Sequence, residues 1–131
     1  MVGQLSSKYS PELQTAFAES KTVADVTKLM ESFTTAVAEG KQAEKGWPSA
    51  AYSVSKTGVI GMTRAIALEQ KREGTGVAAN RCCPGYVDTD MTKHRGSKTV
   101  DEGAQTPVML AVGDIGGKAG EFWQGEKVIE W

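Results

Sequence analysis

The sequence predicts an α/β fold. Two features carry that reading: a long helical stretch over residues 50–72, and directly after it a short, small-residue-rich apolar run over residues 77–83. The run is bounded by Gly76 and Pro84, which reads as a buried strand. A helix feeding such a strand is half of a parallel crossover unit. At 131 residues the chain is one domain or less.

The elements follow in order. Residues 1–10 are irregular. Ser10-Pro11-Glu12 opens a first helix, with Ser10 as cap and Pro11 in the first helical position, where its missing N–H costs nothing. Leu13, Phe17 and Ala16 form its apolar side. A second helix starts at Thr22, with Asp25 placed for a reciprocal cap. Val23, Val26, Leu29, Met30, Phe33 and Val37 recur at helical spacing until Gly40. Residues 41–49 are a polar connection containing Gly46-Trp47-Pro48. On the long third helix, Tyr52, Lys56, Val59, Thr63 and Ile66 share one stripe, which reads as a buried face with a polar pair at its N-terminal end. Gly58 and Gly61 cost helix stability, which implies close packing of another backbone. Lys71 and Arg72 suit the helix C-terminus and Gly74 stops it. After the strand, residues 88–92 form a short turn or helix, and residues 93–98 are polar and mobile. A helix spans residues 100–112, capped by Thr99, with Asp101 and Glu102 in its first turn. Residues 113–120 are a glycine-rich loop. Phe122 and Trp123 lie in a strand, followed by a turn near Gln124-Gly125 and a short extension at Lys127-Val128-Ile129.

Composition excludes several functions. The net charge of −1 provides no basic field for nucleic acid. No apolar run has the length to span a bilayer, and the start lacks the pattern of a secretory signal, so the expected compartment is cytoplasmic. Cys82 and Cys83 are adjacent and are read as small buried thiols rather than a disulfide. His94 is the single histidine, so no Cys/His cluster exists and no metal is expected.

Two patterns carry chemistry. Tyr52 and Lys56 are four residues apart, hence one turn apart on one helix face. An ammonium beside a phenol stabilises the phenolate and makes the hydroxyl a usable proton donor, as carbonyl reduction requires. On spacing alone, the pair fits an ordinary solvated helix face equally well. The second pattern is Cys83-Pro84-Gly85-Tyr86-Val87-Asp88-Thr89-Asp90-Met91, beyond the carboxyl end of the strand, where open α/β sheets bind ligands. Its Pro-Gly bend admits close backbone approach, and the Thr89 hydroxyl can meet an amide or phosphate. Taken alone, a plain strand-ending turn is the commoner meaning.

The order of these parts, Tyr-x-x-x-Lys on a helix, a strand, then Pro-Gly-x-Val-x-Thr, resembles the short-chain dehydrogenase/reductase family, in particular its monomeric NADPH-dependent carbonyl reductases. The similarity extends to Ser10-Pro11-Glu12-Leu13-Gln14, Gly46-Trp47-Pro48-Ser49-Ala50-Ala51-Tyr52, Cys82-Cys83-Pro84-Gly85 and Glu102-Gly103-Ala104-Gln105-Thr106-Pro107-Val108. The resemblance implies a Rossmann-like doubly wound parallel sheet, of which this chain is the C-terminal half. Residues 1–49 would be a helical insertion and linker, and residues 50–131 would be the catalytic helix, strand, nicotinamide loop, final helix and strand. It implies NADPH as cofactor, with Tyr52 as proton donor and Lys56 supporting it while hydrogen-bonding the nicotinamide ribose. Pro84, Gly85, Val87 and Thr89 would hold the nicotinamide, and Cys83, Tyr86 and Met91 would border a small carbonyl substrate: a ketone, aldehyde or quinone. The parent would be a monomer.

The chain departs from the family in lacking the glycine-rich phosphate turn. Gly113-Asp114-Ile115-Gly116-Gly117-Lys118 has the wrong spacing, and Ser6 and Ser7 come too late to match the family's catalytic serine. With most of the sheet absent, the chain is expected to be marginally stable or self-associating, and poorly active by itself. A non-catalytic homologue that binds partners through its exposed sheet edge is the alternative.

Overall fold

A computed structural model describes residues 2–131. It contains helices α1 (Pro11–Glu19), α2 (Val23–Ala38), α3 (Ala51–Glu73) and α4 (Val100–Val112), and strands β1 (Arg81–Cys83), β2 (Phe122–Gln124) and β3 (Lys127–Ile129). The fold is the α/β arrangement expected, helix-rich with a small mixed sheet. The chain forms two compact units, residues 2–77 with Trp131, and residues 78–130.

The first unit is a helical cluster around aromatic side chains. The Ser10 hydroxyl accepts from Leu13 N–H and starts α1, with Pro11 behind it. Thr22 and Asp25 form the reciprocal cap of α2: Asp25 N–H donates to Thr22 Oγ1 at 3.1 Å, and Thr22 N–H donates to the Asp25 carboxylate at 3.0 Å. Gly74, left-handed at φ 66°, ends α3. Phe17, Phe33, Tyr9 and Trp47 make the core with Val26, Ala36, Val54 and Ala65. Trp47 stands edge-on to Phe17 at 6.0 Å and tilted against Phe33 at 5.2 Å, and Trp131 meets Phe17 at 5.9 Å.

Helix α3 presents to this core a face different from the one its apolar stripe suggested. Val54, Thr57, Gly58, Ile60, Gly61 and Ala65 are buried. The stripe of Tyr52, Lys56, Val59 and Ile66 is exposed, with Tyr52 at 51% and Val59 at 57%. The physical reason is size. Helix α2 and the C-terminal tryptophan approach α3 where it carries glycine: a Cβ at Gly58 would stand 2.7 Å from Met30 Sδ, and one at Gly61 would stand 3.1 Å from the Trp131 ring. The close neighbours at both glycines are therefore side chains, where another backbone was expected.

In the second unit the sheet order is β1-β2-β3, with β1 parallel to β2 and β2 antiparallel to β3. Arg81 pairs with Phe122 and Cys83 with Gln124, and the turn at Gly125 folds β3 back so that Phe122 meets Ile129. Phe122 and Trp123 are buried. Asn80 links the parallel pair from outside: its Oδ1 accepts from Glu121 N–H at 3.1 Å and its Nδ2 donates to Lys118 O at 2.9 Å. The strand expected over residues 77–83 is shorter, only Arg81–Cys83, and half-buried, with Val77 59% exposed. Residues 75–80 lie outside any strand; of these Ala79 O accepts from Gly120 N–H at 2.7 Å, next to the start of the ladder. Cys82 and Cys83 are half-buried rather than fully enclosed. Burial still pushes the Cys82 thiol above its ordinary pKa. Helix α4 begins at a second reciprocal cap, Thr99 with Glu102.

Candidate active site

The sequence-identified residues fall into two groups, one in each compact unit.

The first group lies on α3. Tyr52 and Lys56 project from its solvent-facing side, and Lys56 Nζ stands 5.4 Å from the centre of the Tyr52 ring. That is cation–π range. The pair's rotation about the helix axis is fixed from the opposite face by Thr57, which is fully buried. Its hydroxyl lies 2.7 Å from Tyr9 Oη, 3.0 Å from Gly3 O and 3.1 Å from Ser53 O. Gly3, at φ 83°, seats the N-terminal segment directly on α3. A Cβ there would stand 2.8 Å from Lys56 Cβ, so no other residue fits this contact without displacing the helix. Trp131 Nε1 donates to the same Gly3 carbonyl at 3.1 Å.

The second group is the loop after β1. Pro84 and Gly85 make the bend, with Gly85 left-handed at φ 88°. Val87 pairs with Lys98 as a parallel bridge: Asp88 N–H donates to Lys98 O at 2.8 Å, and Lys98 N–H donates to Tyr86 O at 3.1 Å. The Val87 side chain fills the space that a Cβ on Gly103 of α4 would take. Gly96 has the same function for the backbone, since a Cβ there would run into Val87 and Asp88. Thr89 N–H donates to Thr92 Oγ1 at 3.0 Å, and that hydroxyl lies 2.8 Å from Val87 O, closing a single 3-10 turn over Asp90–Thr92. Thr89 is half-buried, and its own hydroxyl lies 3.5 Å from Thr92 Oγ1, in a reciprocal cap with Thr92. Cys83 ends the strand half-buried, while Tyr86 is 52% and Met91 74% exposed.

Residues 93–98, expected as a mobile polar segment, are instead tied to this loop. Ser97 N–H donates to Tyr86 O at 2.9 Å and His94 N–H donates to Thr89 O at 3.0 Å. Lys98 lies alongside Gly85, its ammonium 3.4 Å from Pro84 O. Neither His94 nor Lys98 was singled out for this loop from the sequence. The signal available was the spacing Asp88, Asp90, His94, which puts one imidazole within reach of two carboxylates. Among the described residues, no group of three or more His, Cys, Asp or Glu side chains could hold a metal ion. No helix is long and apolar enough to cross a membrane among them.

A helix bearing Tyr-x-x-x-Lys, followed by a parallel strand and a Pro-Gly loop, defines a dehydrogenase-type α/β protein. The family model described as short chain dehydrogenase matches residues 32–100, which include Tyr52, Lys56 and the whole of the 84–89 loop. The chain belongs to the short-chain dehydrogenase family. It is 42% identical to mouse (Mus musculus) carbonyl reductase [NADPH] 1 over 125 residues, covering 92% of this chain and 45% of that protein. Against human (Homo sapiens) carbonyl reductase [NADPH] 1 the identity is 40% over 127 residues, 93% of this chain and 46% of the relative. Among solved structures, salutaridine reductase from Papaver somniferum superposes with a TM-score of 0.81 at 26% identity, over 94% of this chain and 42% of its own. The chain thus spans about half the length of the relatives it matches.

Proposed function

We propose that this chain carries the proton-donating and nicotinamide-holding half of an NADPH-dependent carbonyl reductase acting on ketones, aldehydes or quinones. The observation that carries the reading is the Tyr52–Lys56 pair: an ammonium 5.4 Å from the centre of the phenol ring, both on the open face of α3. Tyr52 is the proton donor to the carbonyl oxygen. A phenol placed within hydrogen-bond reach of a reacting oxygen is worth about 10²–10⁴-fold in rate. Lys56 supports the phenolate that remains and offers its ammonium to a ribose hydroxyl.

The loop residues fit a nicotinamide. Gly85 carries no side chain at the bend, and the half-buried Thr89 hydroxyl, 3.5 Å from Thr92 Oγ1, is of the type that can meet a carboxamide. Pro84, Gly85, Val87 and Thr89 would hold that group, which when bound supplies the hydride. Cys83, Tyr86 and Met91 border the substrate, with Tyr86 and Met91 offering exposed apolar surface for an aromatic or alkyl carbonyl compound. The relatives' names specify NADPH, and the similarity to them supports that cofactor here.

The test joins this chain behind the N-terminal half of the human relative and follows NADPH oxidation with a quinone and an aromatic aldehyde. Tyr52→Phe is expected to lower kcat by about 100-fold or more, in line with loss of a general acid. Full activity in that variant would exclude Tyr52 as the donor.

A further inference from the structure

His94, the single histidine of the chain, faces two carboxylates at once. Its Nδ1 lies 2.8 Å from Asp88 Oδ1 and its Nε2 lies 3.0 Å from Asp90 Oδ1. These two residues flank Thr89. A neutral imidazole has one N–H and one lone pair, so it could satisfy only one of them and would set its lone pair against the other. Only the doubly protonated ring donates to both. The backbone is shaped to bring the ring back: Lys93 and His94 are both left-handed, at φ 53° and 54°, a region that non-glycine residues seldom occupy. In that position His94 N–H reaches Thr89 O at 3.0 Å, and Thr92 N–H reaches the same carbonyl at 3.1 Å. Thr89 is therefore fastened through its carbonyl, through its amide and through both of its neighbours.

The other charges around the ring are accounted for. Lys93 and Arg95 adjoin it in the chain and are exposed. Lys98, on the paired segment, has its ammonium at Pro84 O. On α4, which packs on Val87, the first-turn acids are Asp101 and Glu102, and the Glu102 carboxylate accepts from its own cap, Thr99 N–H, at 2.7 Å.

We propose that His94 is a positioning residue: as an imidazolium it clasps Asp88 and Asp90 and so fixes Thr89, and loss of one ring proton opens the clasp. Its bearing on cofactor binding rests on the reading of residues 84–89 as a nicotinamide loop. The clasp needs both ring protons, so the loop tightens when the ring holds two and loosens when it holds one.

Because the chain has one histidine, its imidazole signals in an NMR spectrum of the ¹⁵N-labelled 131-residue protein need no assignment. At the acid end of a pH series, both ring N–H groups are expected to be seen, each hydrogen-bonded to one carboxylate. As the pH is raised and the ring gives up one proton, the Thr89 amide resonance is expected to move with it, and its exchange to accelerate about threefold or more beyond the base-catalysed trend. In His94→Gln the Thr89 amide should show no such step, and Asp88→Asn and Asp90→Asn should each uncouple it. A Thr89 amide whose pH course is the same in wild type and His94→Gln overturns the proposal, as does a ring whose two N–H groups never bond the two carboxylates together. Added NADPH separates the two readings. Shifts at Gly85 and Val87 that weaken toward pH 8 in wild type but not in His94→Gln support the positioning role, and shifts with the same pH dependence in both overturn it. Intact coupling of ring and Thr89 with no NADPH shift anywhere upholds the clasp and overturns the nicotinamide reading.

Discussion

Thr57 is the position where removal of one oxygen atom tests how α3 is held. Its hydroxyl has a single proton and three oxygen neighbours, two of them carbonyls that can only accept. The proton therefore goes to Gly3 O or Ser53 O, and Tyr9 must donate to Thr57 across 2.7 Å. Thr57→Val keeps the shape of the side chain and leaves the Tyr9 hydroxyl, on a residue 4% exposed, without its acceptor. Gly3 O retains Trp131 Nε1 at 3.1 Å, so one orphan is created rather than two. The expected loss is about 1–3 kcal/mol for an unsatisfied buried donor. For a chain of this size that lowers the melting temperature by about 4–10 °C. Tyr9→Phe alone should cost about 1 kcal/mol. The double variant should cost less than the sum of the two by about 1 kcal/mol or more, since an apolar pair of matching shape leaves nothing unpaired. Thermal melts of the four proteins by circular dichroism complete the cycle. Additivity to within about 0.3 kcal/mol would refute the bond and the inferred direction of its proton.

Two further outcomes follow from the loops and caps. Gly96→Ala forces a methyl group into the Val87–Asp88 backbone and should break the pairing with Lys98, destabilising by about 2 kcal/mol or more; hydrogen exchange of residues 84–98 no faster than in wild type would contradict the packing. The carboxyls of Asp25 and Glu102 are held below the usual carboxylate range, chiefly by backbone N–H donors, of Lys21 for Asp25 and of Thr99 for Glu102. Such groups stabilise the fold above the unfolded carboxylate range and lose that contribution as pH falls through the lower folded values. Asp25→Asn and Glu102→Gln should therefore flatten the acid limb of a stability-versus-pH curve, and an unchanged limb in both would show that the caps do not contribute.

The caps were legible because they are local. Ser10-Pro11, Thr22 with Asp25, and Thr99 with Glu102 each state a helix start within four residues, and α1, α2 and α4 begin there. The Tyr52–Lys56 pairing was legible for the same reason, since one helical turn settles it. What α3 buries was not, because hydropathy ranks Val59 and Ile66 above Gly58, Gly61 and Ala65, while close packing against Met30, Val26 and Trp131 selects the small residues. The strand's length was misjudged for a related reason. The run from Val77 has the composition of a buried strand, but strand identity depends on a paired ladder, and residues 81–83 are the ones in register with Phe122–Gln124. His94 is weighed from the sequence as a metal ligand alone; its partners are two carboxylates, which the spacing Asp88, Asp90, His94 brings within reach.

The two faces of α3 are set by one rotation. Val54, Thr57, Gly58, Gly61 and Ala65 lie along one line of the helix, and Tyr52, Lys56, Val59, Thr63 and Ile66 lie along the line opposite. Turning the helix by one residue, about 100°, would carry Tyr52 from solvent toward the flank of the core and bring a larger side chain to the place where Gly58 meets Met30. The inner line is nearly featureless chemically, and it decides where the chemistry points. The buried glycines at 58 and 61 and threonine at 57 thus set the direction in which the phenol and the ammonium project. A substitution that enlarged Gly61 without moving Trp131 would therefore alter the site through the helix axis, and its signature would be a change in Tyr52 and Lys56 together, not in either alone.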